Sequence, residues 1–446
     1  MTLILFGTLA IVMLVLLPAI ARTAAIGAAI LLAASLIDAW MIEPPYVELG
    51  VQIYLHDLIF ILLALVGVQR LLMRAGLGAM PLGWYMFGLL LFSSLFLGLQ
   101  KYGTTAGVDF RNFFYFFAGT VYFLSFSYDE RELRALTKTW LVVCSILLGI
   151  VFFRWAAELA GLQIAQKWIA ADPTGVKFRC IDSSQAYILG VGFVIMLYRF
   201  SEGAYTLNSV VFASLLAIAV IGLQHRSVWA VTAIAVLVLI FSPGVRGGKL
   251  AGKTMIMVIL LGTILLPVLI YGLADVFLVS ISDSAERATS LSTGTFGARV
   301  EGWKRLLSKW PELSVFEQAV GQPFGGRYGH SERSPHNGYI QLLYRVGAVG
   351  LFIFLASLTI TVIKLFGIGM RRSNQTYSGL AFALLFGLVF YYIPYSMQPE
   401  HSIIFGMAIS LARLGIRETK FSEISGQNRS VRRTLFGQAD RINNSR

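Results

Sequence analysis

The sequence predicts an all-α, polytopic integral membrane protein with about 12–13 transmembrane helices and one large periplasmic loop. Three observations carry this. The 446 residues are 57% hydrophobic and only 13% charged, where a soluble domain carries about 25% charged residues. Apolar runs of about 20 residues, enough to cross a bilayer as a helix, recur as far as position 416. One sizeable polar stretch, 279–338, interrupts them. Backbone polar groups in lipid must be satisfied within the segment, which makes the spans helical.

Spans are expected near 2–20, 24–42, 54–73, 81–99, 111–127, 137–160, 184–200, 206–223, 227–242, 254–278, 339–366, 376–396 and 401–416. The opening segment lacks a basic flank and reads as a retained span, not a cleaved signal. Four regions follow: an N-terminal transmembrane bundle over 1–278, a periplasmic loop over 279–338, C-terminal transmembrane helices over 339–416 and a basic cytoplasmic tail over 417–446. Lys and Arg set the orientation. "QRLLMR" (69–74), "YDERELRALTK" (128–138), "GVRGGKLAGK" (244–253), "KLFGIGMRR" (364–372), Arg22, Arg199 and the tail are rich in basic residues and should face the cytoplasm. The alternate loops, including 166–184, 224–227 and 279–338, then face the periplasm.

The 279–338 stretch contains an amphipathic signature. Phe296, Val300, Trp303, Leu307 and Trp310 fall at helical spacing, and Pro311 follows as a stop. Its two tryptophans suit a helix lying on the membrane surface or on the top of the bundle. "GQPFGG" (321–326) lacks the Lys-Ser/Thr of a phosphate loop and reads as a turn.

A net charge of +13 would suggest nucleic acid in a soluble protein. Here inward loops and the tail account for much of it, but several cations remain on the outward side. These are Arg226 in "LQHRSVW", Arg299 in "TFGARVEGW", and Lys177 and Arg179 in one loop. A charge near the apolar slab is costly, so each needs a reason. One is headgroup anchoring. The other is a bound anion such as a lipid-linked pyrophosphate, whose oxygens arginines grip by bidentate, charge-assisted bonds. His336, one of five histidines, stands with Asn337 before a long apolar run. Its ordinary pKa suits it to take a proton from a hydroxyl, or it simply faces headgroups at a helix start. Asn337 suits sugar contact or a helix cap. His330 is the competing histidine. Acidic residues are scattered: Asp38 inside a span, then Asp57, Asp109, Asp182 and Glu400. No Asp-x-Asp pair, His-x-x-x-His or Cys/His cluster is present, so no metal site and no cofactor are expected. Cys144 lies in a span and Cys180 in a loop.

The order of these features resembles the O-antigen ligase and O-antigen polymerase family of bacterial surface-polysaccharide enzymes. The match is strongest over 206–366: an outward Arg226, a large outward loop with Arg299, then His336-Asn337 with Gly347 and Gly350 completing a His-Asn-x9-Gly-x-x-Gly element. The resemblance implies a membrane glycosyltransferase that uses no metal. It would move a glycan from undecaprenyl pyrophosphate to a sugar hydroxyl at the periplasmic face, with inversion. Arg226 and Arg299 match the family's pyrophosphate-holding arginines, and His336 matches its essential histidine. His225 departs from the small polar residue more usual before that arginine. The expected partners are the lipid-linked donor, a glycan or lipid A-core acceptor, the bilayer and other polysaccharide-assembly proteins, without nucleic acid. Aromatic and basic outer loops favour a polymerase of O-antigen or exopolysaccharide. The alternative is a ligase joining the finished glycan to the lipid A core. A lipid-linked oligosaccharide flippase is the rival from another class. Against it stand the lack of an internal repeat and the clustering of candidate charges at one face.

Overall fold

The computed structural model describes residues 7, 12, 15–41, 46–48, 50–75, 80–162, 179–203, 206–242, 295–328, 335–371 and 376–413. In order these form α1 (Ala24–Trp40), a short antiparallel hairpin of β1 (Tyr46–Glu48) and β2 (Gln52–Tyr54), α2 (Leu55–Arg70), α3 (Leu82–Tyr102), α4 (Thr104–Leu124) and α5 (Glu130–Leu159). Then come α6 (Ser183–Ser201), α7 (Leu207–Gly222), α8 (Arg226–Phe241), α9 (Thr295–Lys309), α10 (Val315–Val320), α11 (Gly338–Arg371), α12 (Thr376–Tyr391) and α13 (His401–Arg413). The chain is mostly helical, as its composition predicts. Among the described residues, four helices are long and apolar enough to cross a membrane: Leu55–Met73, Leu82–Tyr102, Glu130–Leu159 and Gly338–Gly369. Five of the expected spans are shorter apolar helices of 10–17 residues. The expected span 254–278 and the tail 417–446 lie outside the described residues.

Two ends of the bundle are fixed by different polar contacts. At the lower end Arg70 donates to the Ala21 carbonyl and to Ser125 Oγ, and Tyr122 donates its hydroxyl to the Ile20 carbonyl. Glu132 accepts from the Ala24 and Ala25 amides, which have no helical partner at the start of α1. At the upper end Arg154 donates to the carbonyls of Ala39 and Cys180. Arg111 pairs with Asp57 at 3.0 Å. Cys180 is free and buried, and burial pushes its thiol up to about 12, so it is inert as a nucleophile.

The centre is aromatic. Trp84, Phe116 and Phe354 surround Phe405 at ring separations of 5.0–5.8 Å. Phe405 belongs to α13, a short expected span that is almost wholly buried. Small residues allow this. A Cβ on Gly119 would lie 2.2 Å from Ser402 Oγ, and one on Gly406 would lie 2.4 Å from Phe123 Cβ. The outer faces are apolar as well: Leu65, Leu82, Leu89 and Phe352 are exposed.

The amphipathic helix forms as α9 and docks on the bundle, with one correction. Leu306 faces inward with Trp303 and Trp310 against Tyr328, Ile340 and Tyr344, while Leu307 is 48% exposed. Tyr344 donates its hydroxyl to the Leu306 carbonyl at 2.7 Å, which selects that face. The turn predicted at 321–326 is present and drives Phe324 fully inside. Gly325 donates its amide to Asp109 at 3.0 Å, and the buried Arg345 pairs with the same carboxylate at 2.7 Å. Arg345 also donates to the carbonyls of Pro323 and Gly326. Asp109 therefore serves this distant loop and not its sequence neighbour Arg111.

Gly347 breaks the helical path of α11 with φ +69°. Its missing side chain lets α10 approach: a Cβ there would lie 2.2 Å from the Ala319 carbonyl oxygen. Gly347→Ala should destabilise the protein by about 2–4 kcal/mol, from a positive φ and a backbone collision. Gly149→Ala, on an open helical face, should change stability by no more than about 1 kcal/mol and in the favourable direction. Thermal unfolding in detergent checks both; equal midpoints for the two variants refute the account of Gly347.

Candidate functional site

The site is built on the turn that follows α12. Helix α12 ends at Tyr391 and leaves its last carbonyls without helical partners. Helix α11 begins at Gly338 with the opposite deficit, unsatisfied amides. The Gly338 amide bridges to the carbonyls of Tyr392 and Tyr395, at 2.8 and 3.0 Å. The start of α11 is thereby fastened to the turn, and His336 and Asn337 stand immediately before the fastening point.

Asn337 is the helix cap. Its side-chain oxygen accepts from the Ile340 amide at 2.9 Å, and the residue is buried. Of its two expected roles, the structure assigns the capping one. His336, one residue earlier, is exposed at the surface of the site.

Arg299 reaches the same turn from α9. It donates to the Pro394 carbonyl at 3.2 Å, and its guanidinium lies over the Tyr395 ring at 5.4 Å. Arg299 and His336 are brought together here. Partial burial and the Arg299 positive charge push the His336 pKa below its ordinary value. The imidazole is consequently neutral near pH 7, which is the form a general base requires.

Arg226 lies at the same end. Helices α6 and α8 run parallel: His225 contacts the Ile181 carbonyl at 2.8 Å, and Gly190 packs against Thr232. Helices α6 and α12 run antiparallel: Tyr187 lies 4.6 Å from Tyr391, and Tyr198 lies 5.2 Å from Tyr377. The start of α8 and the end of α12 therefore flank the same first turns of α6. Arg226 is the first residue of α8, half-buried, with no acidic residue in that turn. Arg226 thus adds its charge to the positive end of the α8 dipole.

His225 is explained by this geometry. It is buried at the N-cap position of α8, and its ring ties that position to the segment before α6. Arg179 donates to the Gln224 carbonyl at 3.0 Å and so braces the same turn, where Gln224 adopts φ 56°. Lys177 and His330 lie outside the described residues.

One group near the site stood in the sequence only as one of the scattered acidic residues. Glu400 and His401 close the turn from below, buried against Tyr187, Tyr391 and Tyr392. The available signal was the pair of ionisable residues in "QPEH", between two apolar runs.

An exposed neutral imidazole beside an arginine, with a second arginine at the same end, can do two things. It can hold a polyanion and take a proton from a hydroxyl brought next to it. No model of a known protein family matches the chain, and neither does any curated protein.

The Arg299 charge acts on His336 in one direction, so removing it has a fixed sign. In Arg299→Gln the titration midpoint of His336 should move to higher pH. The pH dependence of His336 modification by diethyl pyrocarbonate, read by mass spectrometry on the purified protein, reports this. An unchanged midpoint would mean that the two side chains do not interact.

Proposed function

We propose that this chain is a polytopic membrane glycosyltransferase of the O-antigen ligase/polymerase type. On this reading it transfers a glycan from undecaprenyl pyrophosphate to a sugar hydroxyl at the periplasmic face of a bacterial inner membrane. The observation that carries the proposal is the meeting of Arg299 and His336 on the Tyr391–Tyr395 turn, at the end of the bundle where Arg226 opens α8. Further support comes from the apolar outer faces of α2, α3 and α11 and from the His-Asn-x9-Gly-x-x-Gly element. In that element Asn337 caps a helix and Gly347 breaks it, leaving His336 as the member free to meet substrate.

The chemistry follows from the side chains. Arg226 and Arg299 bind the donor's pyrophosphate oxygens and stabilise the charge that grows on them as the sugar–phosphate bond breaks. The acceptor oxygen attacks the anomeric carbon from the face opposite the leaving pyrophosphate, so the configuration inverts. His336 takes the acceptor's hydroxyl proton through its neutral ring nitrogen, and the bond electrons leave with the pyrophosphate. Positioning both substrates against one turn supplies the orientation such a displacement needs.

The acceptor separates the two forms of the activity. A polymerase extends the next lipid-linked repeat unit, and a ligase loads the lipid A core. Aromatic and basic residues in the outer segments favour two lipid-linked substrates, hence the polymerase. A lipid-linked oligosaccharide flippase is the alternative without chemistry, and for it His336 has no proton to move.

In a host deleted for the gene, His336→Ala at wild-type membrane level should lower transfer by about 10²–10⁴-fold. Arg226→Lys and Arg299→Lys should each lower it by about 10–100-fold, since a point charge replaces a bidentate grip. Size separation of surface and lipid-linked glycans reads the result. Single repeat units on the acceptor identify a polymerase, and long chains stranded on the carrier identify a ligase. Normal glycan from His336→Ala overturns the catalytic reading.

A further inference from the structure

Glu400 is the last residue of the turn that carries Arg299 and His336, and it is buried to 3% exposure. Its Oε1 has no hydrogen-bond partner. The groups facing it come from four directions. Asp38 acts on it from α1, Tyr187 from α6, Tyr391 and Tyr392 from the end of α12, and His401 adjoins it in the chain. None of them supplies a cation. His401 is fully buried, and its Nδ1 accepts from the Gln398 amide at 3.1 Å. The ring proton of the neutral imidazole therefore sits on Nε2, which also has no partner. The Tyr392 hydroxyl is a third polar atom in this group without one.

A carboxylate in such a place is poorly solvated and repelled by Asp38, whereas a neutral carboxylic acid loses far less on burial. We propose that Glu400 is a positioning residue for Arg299 and His336: buried at the end of the Tyr391–Glu400 turn with an unpartnered carboxyl oxygen, it is accommodated there as the neutral acid and disturbs the turn as the carboxylate. The path to the site is short. Tyr391 stacks on Tyr395 at 4.8 Å, Tyr395 lies under Arg299, and the Tyr392 carbonyl holds the start of α11. Burial, opposed by the residue's own backbone amide and reinforced by Asp38, raises the Glu400 pKa to about 7. A pKa raised on folding gives a stability contribution that is complete below the ordinary carboxylate range and is lost as pH rises through about 7.

The test uses the full-length protein purified in detergent. Thermal unfolding across neutral pH should show the wild-type midpoint falling on the alkaline side, and Glu400→Gln, which mimics the protonated acid, should remove that fall. Asp38→Asn removes the repelling charge and should move the wild-type transition to lower pH. A wild-type protein with no alkaline fall, or a Glu400→Gln protein with the same fall, overturns the proposal. If Glu400→Gln does not fold, Asp38→Asn decides alone, and an unmoved transition overturns it. The second readout rests on the proposed glycosyl transfer. Wild-type activity should fall about tenfold per pH unit above the transition, and Glu400→Gln should hold its activity there. The unfolding result needs no transfer activity, so a failure of the functional reading is distinguishable from a failure of this one.

Discussion

The upper end of the molecule depends on the turn after α12 serving as acceptor for the start of α11, whose first amides have no helical partner. The Gly338 amide finds the Tyr392 and Tyr395 carbonyls there, and Arg299 donates to Pro394 in the same turn. The last carbonyls of α12 accept instead from the amides of Tyr392, Ile393 and Tyr395 and from the Tyr339 hydroxyl. Without this arrangement, buried unsatisfied groups would cost about 1–3 kcal/mol apiece. With it, His336 has a fixed height above the turn and Arg299 a fixed approach to it. The candidate chemistry is a by-product of satisfying backbone.

A second anchor keeps the loop between α10 and α11 from competing with this arrangement. Arg345 is 1% exposed and could not be left unpaired. Asp109, two carbonyls of the 321–328 segment and the faces of Phe324 and Tyr328 surround it. That guanidinium, with the Gly325 amide on Asp109 and the Gln322 amide on the Tyr344 carbonyl, holds the loop to α4 and α11. Helix α9 is consequently seated on a rigid floor, and its single-turn choice of Leu306 over Leu307 decides where Arg299 points.

Much of the helical class was legible in the sequence because it rests on composition, which is a property of the whole chain. Asn337 was legible as a cap because the residue type and its place before an apolar run suffice. Arg299 and His336 were legible as candidates, but not as neighbours. Their meeting depends on the turn after α12, nearly 60 residues beyond His336, and no local pattern encodes it. The central place of α13 was hidden for a related reason. Its burial follows from glycines on α4 and on α13 itself, which mark close approach without naming the partner. Glu400 was legible only as a scattered acidic residue, because its burial depends on elements far from it in the chain. His225, an oddity against the family pattern, became ordinary once its contact with the Ile181 carbonyl was seen.

The burial of α13 also sets an order on how the molecule is assembled. Phe405 forms the contact point of Trp84, Phe116 and Phe354, which belong to helices synthesised before it. Until α13 emerges, those helices surround a gap where a keystone belongs, and the turn that carries Arg299 and His336 has no lower boundary. A chain that lacks α13 therefore has neither the centre of the aromatic cluster nor the floor under that turn.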